Sequence, residues 1–147
     1  MKTIFVVAAH PDDEVLGCGG TLLKHVYNGD KVYILFISDG VSGRFKEKDS
    51  DKCLKEISNR EIMARKVSSL GKFKIVDFLN LKNLELSSYP HNYITNIIVK
   101  YFKKYKPDIV YTHYEHDLNI DHYQTFFSTH VACRPHNDFQ IKKLLSF

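Results

Sequence analysis

Six apolar residues, Ile4 to Ala9 (IFVVAA), run without a spacer into His10-Pro11-Asp12-Asp13-Glu14. An unbroken apolar run of this length, with no alternation of polar residues, reads as a strand buried on both faces. Such strands belong to parallel sheets covered by helices. Ionisable groups at the mouth of a sheet are costly to bury unless they are paired or bound to a cation. An imidazole and two carboxylates crowded at one strand end therefore predict a metal site. His10 and Asp13, three positions apart across a tight turn, can aim at one ion. Asp12 then points beside the ion, within reach of a water that the ion activates.

The rest of the chain alternates strand and helix. Val15 to Tyr27 predicts a helix with Leu16, Leu22, Leu23 and Val26 inward, Asp12 or Asp13 as its cap, and Gly29 beyond its end. Lys31 to Ile37 predicts a second buried strand, and the polar Val41 to Asp51 a loop over the strand ends. Leu54 to Leu70 and His91 to Tyr105 read as helices, with Lys74 to Leu79 a short strand between them and Leu81 to Pro90 irregular. Ile109 to Thr112, Asp121 to Cys133 and Ile141 to Phe147 complete the order as strand, helix and strand. This alternation predicts an α/β fold, a Rossmann-like three-layer α/β/α sandwich with a mostly parallel sheet. With strand order 3-2-1-4, the ligand crevice lies outside the carboxyl ends of strands one and four.

That order makes a second cluster important. Strand four is followed by His113-Tyr114-Glu115-His116-Asp117-Leu118-Asn119-Ile120-Asp121-His122. The two clusters are about a hundred residues apart in the chain and are expected to meet at the crevice. A catalytic zinc needs three protein ligands and one open position. His10 and Asp13 provide two; His122, at the start of a helix, is the third. Asp12 is expected to act as general base and later to protonate a leaving amine. Asn119 or His113 is the expected hydrogen-bond donor to an oxyanion. Arg44 and Asp39, after strand two, are placed to hold substrate hydroxyls or a phosphate. Gly17-Cys18-Gly19-Gly20 lacks the spacing of a phosphate-binding loop and reads as close helix packing.

Charge and composition exclude several classes. A net charge of +4 over 147 residues, with lysines interleaved with acids, forms no basic stripe for nucleic acid. No apolar run approaches the roughly 20 residues of a membrane span, and the apolar start is too short for a signal peptide. Three scattered cysteines, Cys18, Cys53 and Cys133, suggest reduced thiols and a cytoplasmic protein. An unfinished sheet edge invites pairing with a second copy, so a homo-oligomer is expected.

The stretch AAHPDDEVLGCGGTL resembles the signature of the PIG-L/LmbE-type zinc-dependent de-N-acetylases. THYEHDLNIDHYQTF, with ACRP downstream, resembles that family's second motif, and SDGVSGR, REIMARKVSSLG and PDIVYTH add to the likeness. The resemblance implies removal of acetyl from N-acetylglucosamine-type sugars or sugar conjugates by a metal-dependent amidohydrolase. By the same resemblance His10, Asp13 and His122 match the zinc ligands, Asp12 the general base, and Asp121 the aspartate preceding the third ligand. The sequence departs from the family in two ways. Asn119 stands where some members carry a histidine that stabilises the oxyanion; an amide donates a hydrogen bond but no positive charge. The chain also ends where members continue, so a single domain over 1–147 is expected to lack the C-terminal part of the family domain. Zinc is the expected ion, although His and carboxylate ligands suit other divalent metals. The rival expectation is a catalytically impaired, carbohydrate-binding remnant.

Overall fold

The computed structural model describes residues 1–147, the side chain of His91 excepted. Five strands form one parallel sheet: β1 (Thr3–Ala8), β2 (Lys31–Ser38), β3 (Lys74–Leu81), β4 (Ile109–Thr112) and β5 (Lys143–Ser146). Their order is β3-β2-β1-β4-β5, so the chain reverses its direction of winding between β1 and β4. Four helices connect them: α1 (Asp13–Tyr27), α2 (Asp51–Gly71), α3 (His91–Tyr105) and α4 (Ile120–Ala132). The expected α/β sandwich and strand order are those observed.

Successive residues of β1 explain the three layers. Ile4, Val6 and Ala8 face one side and pack with Ile34, Phe36, Leu22 of α1 and Ala64 of α2. Phe5 and Val7 face the other, with Leu35, Ile37, Ile94, Ile98 and Phe102 of α3, and Ala132 of α4. Each large apolar side chain fully buried this way contributes about 1.5–3 kcal/mol. A strand buried on both faces cannot carry polar residues until it leaves the sheet. The charged cluster therefore begins right after β1.

The helix α1 differs from its expected form. It starts at Asp13, and Cys18 breaks its regularity with φ −141° and ψ 15°. Glu14, Cys18 and Leu22 turn inward, while Leu16 and Leu23 are 80% and 53% exposed. The buried residues keep a spacing of four through Cys18, and Leu16 and Leu23, seven apart, lie on the opposite face. Neither aspartate caps the helix with its side chain: Asp12 holds the cap position without that bond, and Asp13 turns back to the His10 backbone. The starts of α2 and α4 obey ordinary capping chemistry. Ser50 accepts from the Cys53 N–H at the start of α2, and Asn119 from the Asp121 N–H at the start of α4.

Candidate metal and catalytic site

The turn after β1 and the first turn of α4 bring the two clusters together at the β1/β4 switch point. His10 Nδ1 lies 3.3 Å from Asp13 Oδ2, His122 Nε2 lies 3.4 Å from that same oxygen, and the two imidazole nitrogens are 3.2 Å apart. Ligand bonds of ~2.0–2.1 Å in tetrahedral geometry put neighbouring donors ~3.3–3.4 Å apart. The three atoms thus form a triangle of the size of one tetrahedral face. Two imidazoles and a carboxylate are also the donor chemistry of a catalytic zinc, so these residues fit the ion that the sequence implies.

Each imidazole is held from behind by a carboxylate. His10 directs Nε2 at Asp121 Oδ2, 3.1 Å away, which leaves Nδ1 for the triangle. His122 directs Nδ1 at Asp117 Oδ2, 2.9 Å away, which leaves Nε2. Carboxylates in this position fix the ring orientation and tautomer of metal-ligating histidines. Asp121 is completely buried and also accepts the backbone N–H groups of Leu84 and Leu86. The irregular segment before α3 therefore helps to position His10. Asp117 accepts from the Asn119 N–H, which keeps it in place at the mouth of α4.

The electrostatics agree with this geometry. Burial disfavours a charged His10, but its hydrogen bonds to Asp121 and Asp13 outweigh that and raise its pKa to about 9. Asp13 is buried too, yet hydrogen bonds from His10 and His122 hold it well below the usual carboxylate range. His122 is desolvated, and its bonds to Asp13 and Asp117 still raise it. Three carboxylates around two imidazoles create a negative surplus that favours a cation.

Asp12 sits beside the triangle and outside it. Its backbone has φ 154°, a region that side-chain-bearing residues rarely occupy. Its carboxylate is paired with the Arg60 guanidinium from α2. A groove of about 680 Å³ runs from Asp12 between α1 and α2, lined also by Arg44, Arg60, Met63 and Val67. None of His10, Asp13 and His122 lines it, but their chain neighbours Pro11, Asp12 and Glu14 do, so the ligand cluster borders the groove.

The other expected site residues have other contacts. His113 is buried, and its Nε2 accepts from the Ala9 N–H at 2.8 Å, so a neutral ring carries its proton on Nδ1. Burial pushes its pKa down to about 4, and it stacks on His122 at 4.0 Å between ring centroids. Such a ring supplies no positive charge and props the third corner of the triangle. Asn119 commits its Oδ1 to capping α4. Asp39 is buried, and its Oδ1 accepts from the N–H groups of Val41 and Ser42, so it builds the turn after β2 and does not line the groove. His116 is exposed beside Glu115. The sequence reading left Asp117 open between loop hydrogen bonding and catalysis, and did not single out Arg60. For Arg60 the available signal was its place in REIMARKVSSLG, but helical spacing alone leaves an arginine there on a solvated face.

One prediction arises directly. Asp121→Asn replaces an oxygen that accepts hydrogen bonds with an NH2 that faces other donors. We expect a loss of about 1–3 kcal/mol in stability and about 10–100-fold in metal affinity. Denaturant unfolding and zinc titration measure the two effects; wild-type values in both remove Asp121 from the support of His10.

The model of the PIG-L family, GlcNAc-PI de-N-acetylase, matches residues 5–133. The chain belongs to this family. Among solved structures, this PIG-L chain is similar to the N,N'-diacetylchitobiose deacetylase of Pyrococcus horikoshii, with 27% identity and a TM-score of 0.76 over 90% of this chain and 49% of that one. It shares its fold with the zinc-inhibited form of teicoplanin deacetylase Orf2, at 14% identity and TM-score 0.72 over 88% of this chain and 62% of that one. It shares it equally with GalB, the 4-carboxy-2-hydroxymuconate hydratase of Pseudomonas putida, at 19% identity and TM-score 0.77 over 100% and 63%. The chain thus spans about half to two thirds of the length of these proteins. Comparison with curated protein sequences gives no match. Among the described residues, no helix is long and apolar enough to cross a membrane.

Proposed function

We propose that this PIG-L chain is a zinc-dependent hydrolase that removes an N-acetyl group from an N-acetylglucosamine-type sugar or sugar conjugate. The observation that carries this reading is the 3.2–3.4 Å triangle of His10, Asp13 and His122 with Asp12 beside it. The fold by itself does not choose the reaction, because GalB has the same fold and is a hydratase. The family match and the likeness to a chitobiose deacetylase favour amide hydrolysis.

A divalent ion held by the three ligands supplies Lewis acidity, bringing the pKa of a water from near 16 toward about 7 and polarising the amide carbonyl. Asp12 takes the proton of the attacking water as the new C–O bond forms. It returns that proton to the amide nitrogen as the C–N bond breaks, which yields acetate and a free amine. Asp117 and Asp121 keep the two imidazoles aimed while charge develops. Asn119 keeps a side-chain NH2 for the oxyanion while its Oδ1 caps α4, and His113 has an Nδ1–H to offer. Arg44, in the lining of the groove, contacts substrate hydroxyls. The substrate is an amino sugar or sugar conjugate whose remainder lies in the groove beside Asp12.

The test uses zinc-loaded protein with N-acetylglucosamine and N,N'-diacetylchitobiose, following both acetate and free amine. We expect release of the two in equal amounts, abolished by a chelator and restored by zinc. Sugar binding without acetate release sinks the hydrolase reading and favours a carbohydrate-binding remnant.

A further inference from the structure

Arg60 ties α2 to both turns bordering the metal triangle. Its Nε donates to the Pro11 carbonyl at 3.1 Å, its Nη1 to the Gly40 carbonyl at 2.7 Å, and its Nη2 to Asp12 Oδ2. Three acceptors, from the turn after β1 and the turn after β2, converge on one planar fork. Arginine suits this position, since its donors are fixed relative to one another; lysine has a single flexible ammonium.

Two further observations show what the fork is for. Asp12 occupies a strained backbone conformation, and its side chain forms no bond to the helix that it precedes. A strained residue persists only where its surroundings hold it, and Arg60 grips both its carboxylate and the carbonyl immediately before it. Gly40 lies at φ +68°, and a Cβ there would sit 3.0 Å from both Arg60 Nη1 and His10 Cβ. The second turn is thus shaped so that the guanidinium and the first metal ligand pack against it together.

We propose that Arg60 is the positioning residue of the catalytic turn: it holds one carboxylate oxygen of Asp12, so that the other is presented to the reacting water. The role rests on the reading of Asp12 as general base. Arg60 acts through Asp12 and does not itself exchange a proton with substrate. Its side chain is only about a quarter exposed, whereas Asp12 is 43% exposed, and both line the groove.

The experiment compares Arg60→Ala, Arg60→Lys, Asp12→Asn and the double variant in zinc-loaded protein. A catalytic group misplaced by about 1 Å costs on the order of 10²-fold. We expect Arg60→Ala to lower kcat by that factor with KM little changed and zinc stoichiometry intact. Added guanidinium should restore part of the loss, whereas Arg60→Lys, with one donor for three acceptors, should not. In the Asp12→Asn background, removing Arg60 should change kcat little further. Amide hydrogen exchange supplies a readout independent of turnover: the Asp12–Glu14 amides should exchange faster in Arg60→Ala, with the interior of α2 unchanged. A raised KM with unchanged kcat overturns the proposal and makes Arg60 a substrate contact. Unaltered exchange in the turn overturns it as well. If Asp12→Asn retains turnover, the base assignment fails separately, and the exchange experiment still decides whether Arg60 holds the turn.

Discussion

Asp12→Asn is expected to reduce kcat by about 10²–10⁴-fold, the range that a positioned general acid–base group contributes. The side chains are nearly the same size, and Asn tolerates unusual φ values better than most residues. The amide oxygen can still accept from Arg60. Asp12 lies outside the triangle of His10, Asp13 and His122, so zinc content should remain at the wild-type level. An amide has no basic lone pair for the water's proton, and this is the only function removed. The measurement pairs acetate release with elemental analysis of the same sample. Near-normal turnover at full zinc occupancy would remove Asp12 from the chemistry.

The second large effect is expected at His122. Replacement by Ala deletes one corner of the triangle and leaves two donors, too few for the three-ligand site that a catalytic zinc requires. Zinc affinity should fall by more than the roughly 10–100-fold that follows loss of a supporting hydrogen bond. Turnover should fall with it. Asp117 loses its imidazole partner but is partly exposed, so water solvates it and the fold survives. Elemental analysis after dialysis against metal-free buffer measures the stoichiometry, and circular dichroism checks the fold. One zinc per folded chain in His122→Ala takes this residue out of the ligand set. His113 and Asp117 lie close enough to His122 to form an alternative donor group that shares it. Loss of His122 therefore disables both arrangements, and an Asp13→Ala variant separates them.

Much of the fold was legible before any coordinates. The apolar runs Ile4–Ala8 and Val32–Ile37 are strands because they are buried on both faces, with Tyr33 alone half-buried. His91–Tyr105 is a helix because Ile94, Ile98 and Phe102 recur at helical spacing. The inward face of α1 was less legible. Glu14, Cys18 and Leu22, four apart, form its buried face, and Leu16 and Leu23, seven apart, fall on the opposite one, so helical spacing puts those two leucines outward despite their apolar character.

The candidate ligands were legible for a chemical reason: few residue types bind a divalent ion, and here they stand at the ends of strands adjacent across the switch point. Their supports were not. Asp121 was visible only as a family match, yet its work is to bind His10 from behind, together with Leu84 and Leu86. Asp39 follows β2, and its Oδ1 accepts the Val41 and Ser42 N–H groups, a turn-building role that its chain position did not reveal.

The sequence by itself determined where the strands and helices lie along the chain, and which side chains are candidates for metal binding and acid–base chemistry. These depend on local periodicity and on the identity of functional groups, both readable along the chain. Tertiary structure alone decided that Asp117 and Asp121 serve different imidazoles, that His113 is a neutral prop, and that Arg60 grips Asp12 from a helix 48 positions away. A hydrogen bond depends on the direction of two groups to within a fraction of an ångström, and that direction is set by the packing of whole helices on the sheet.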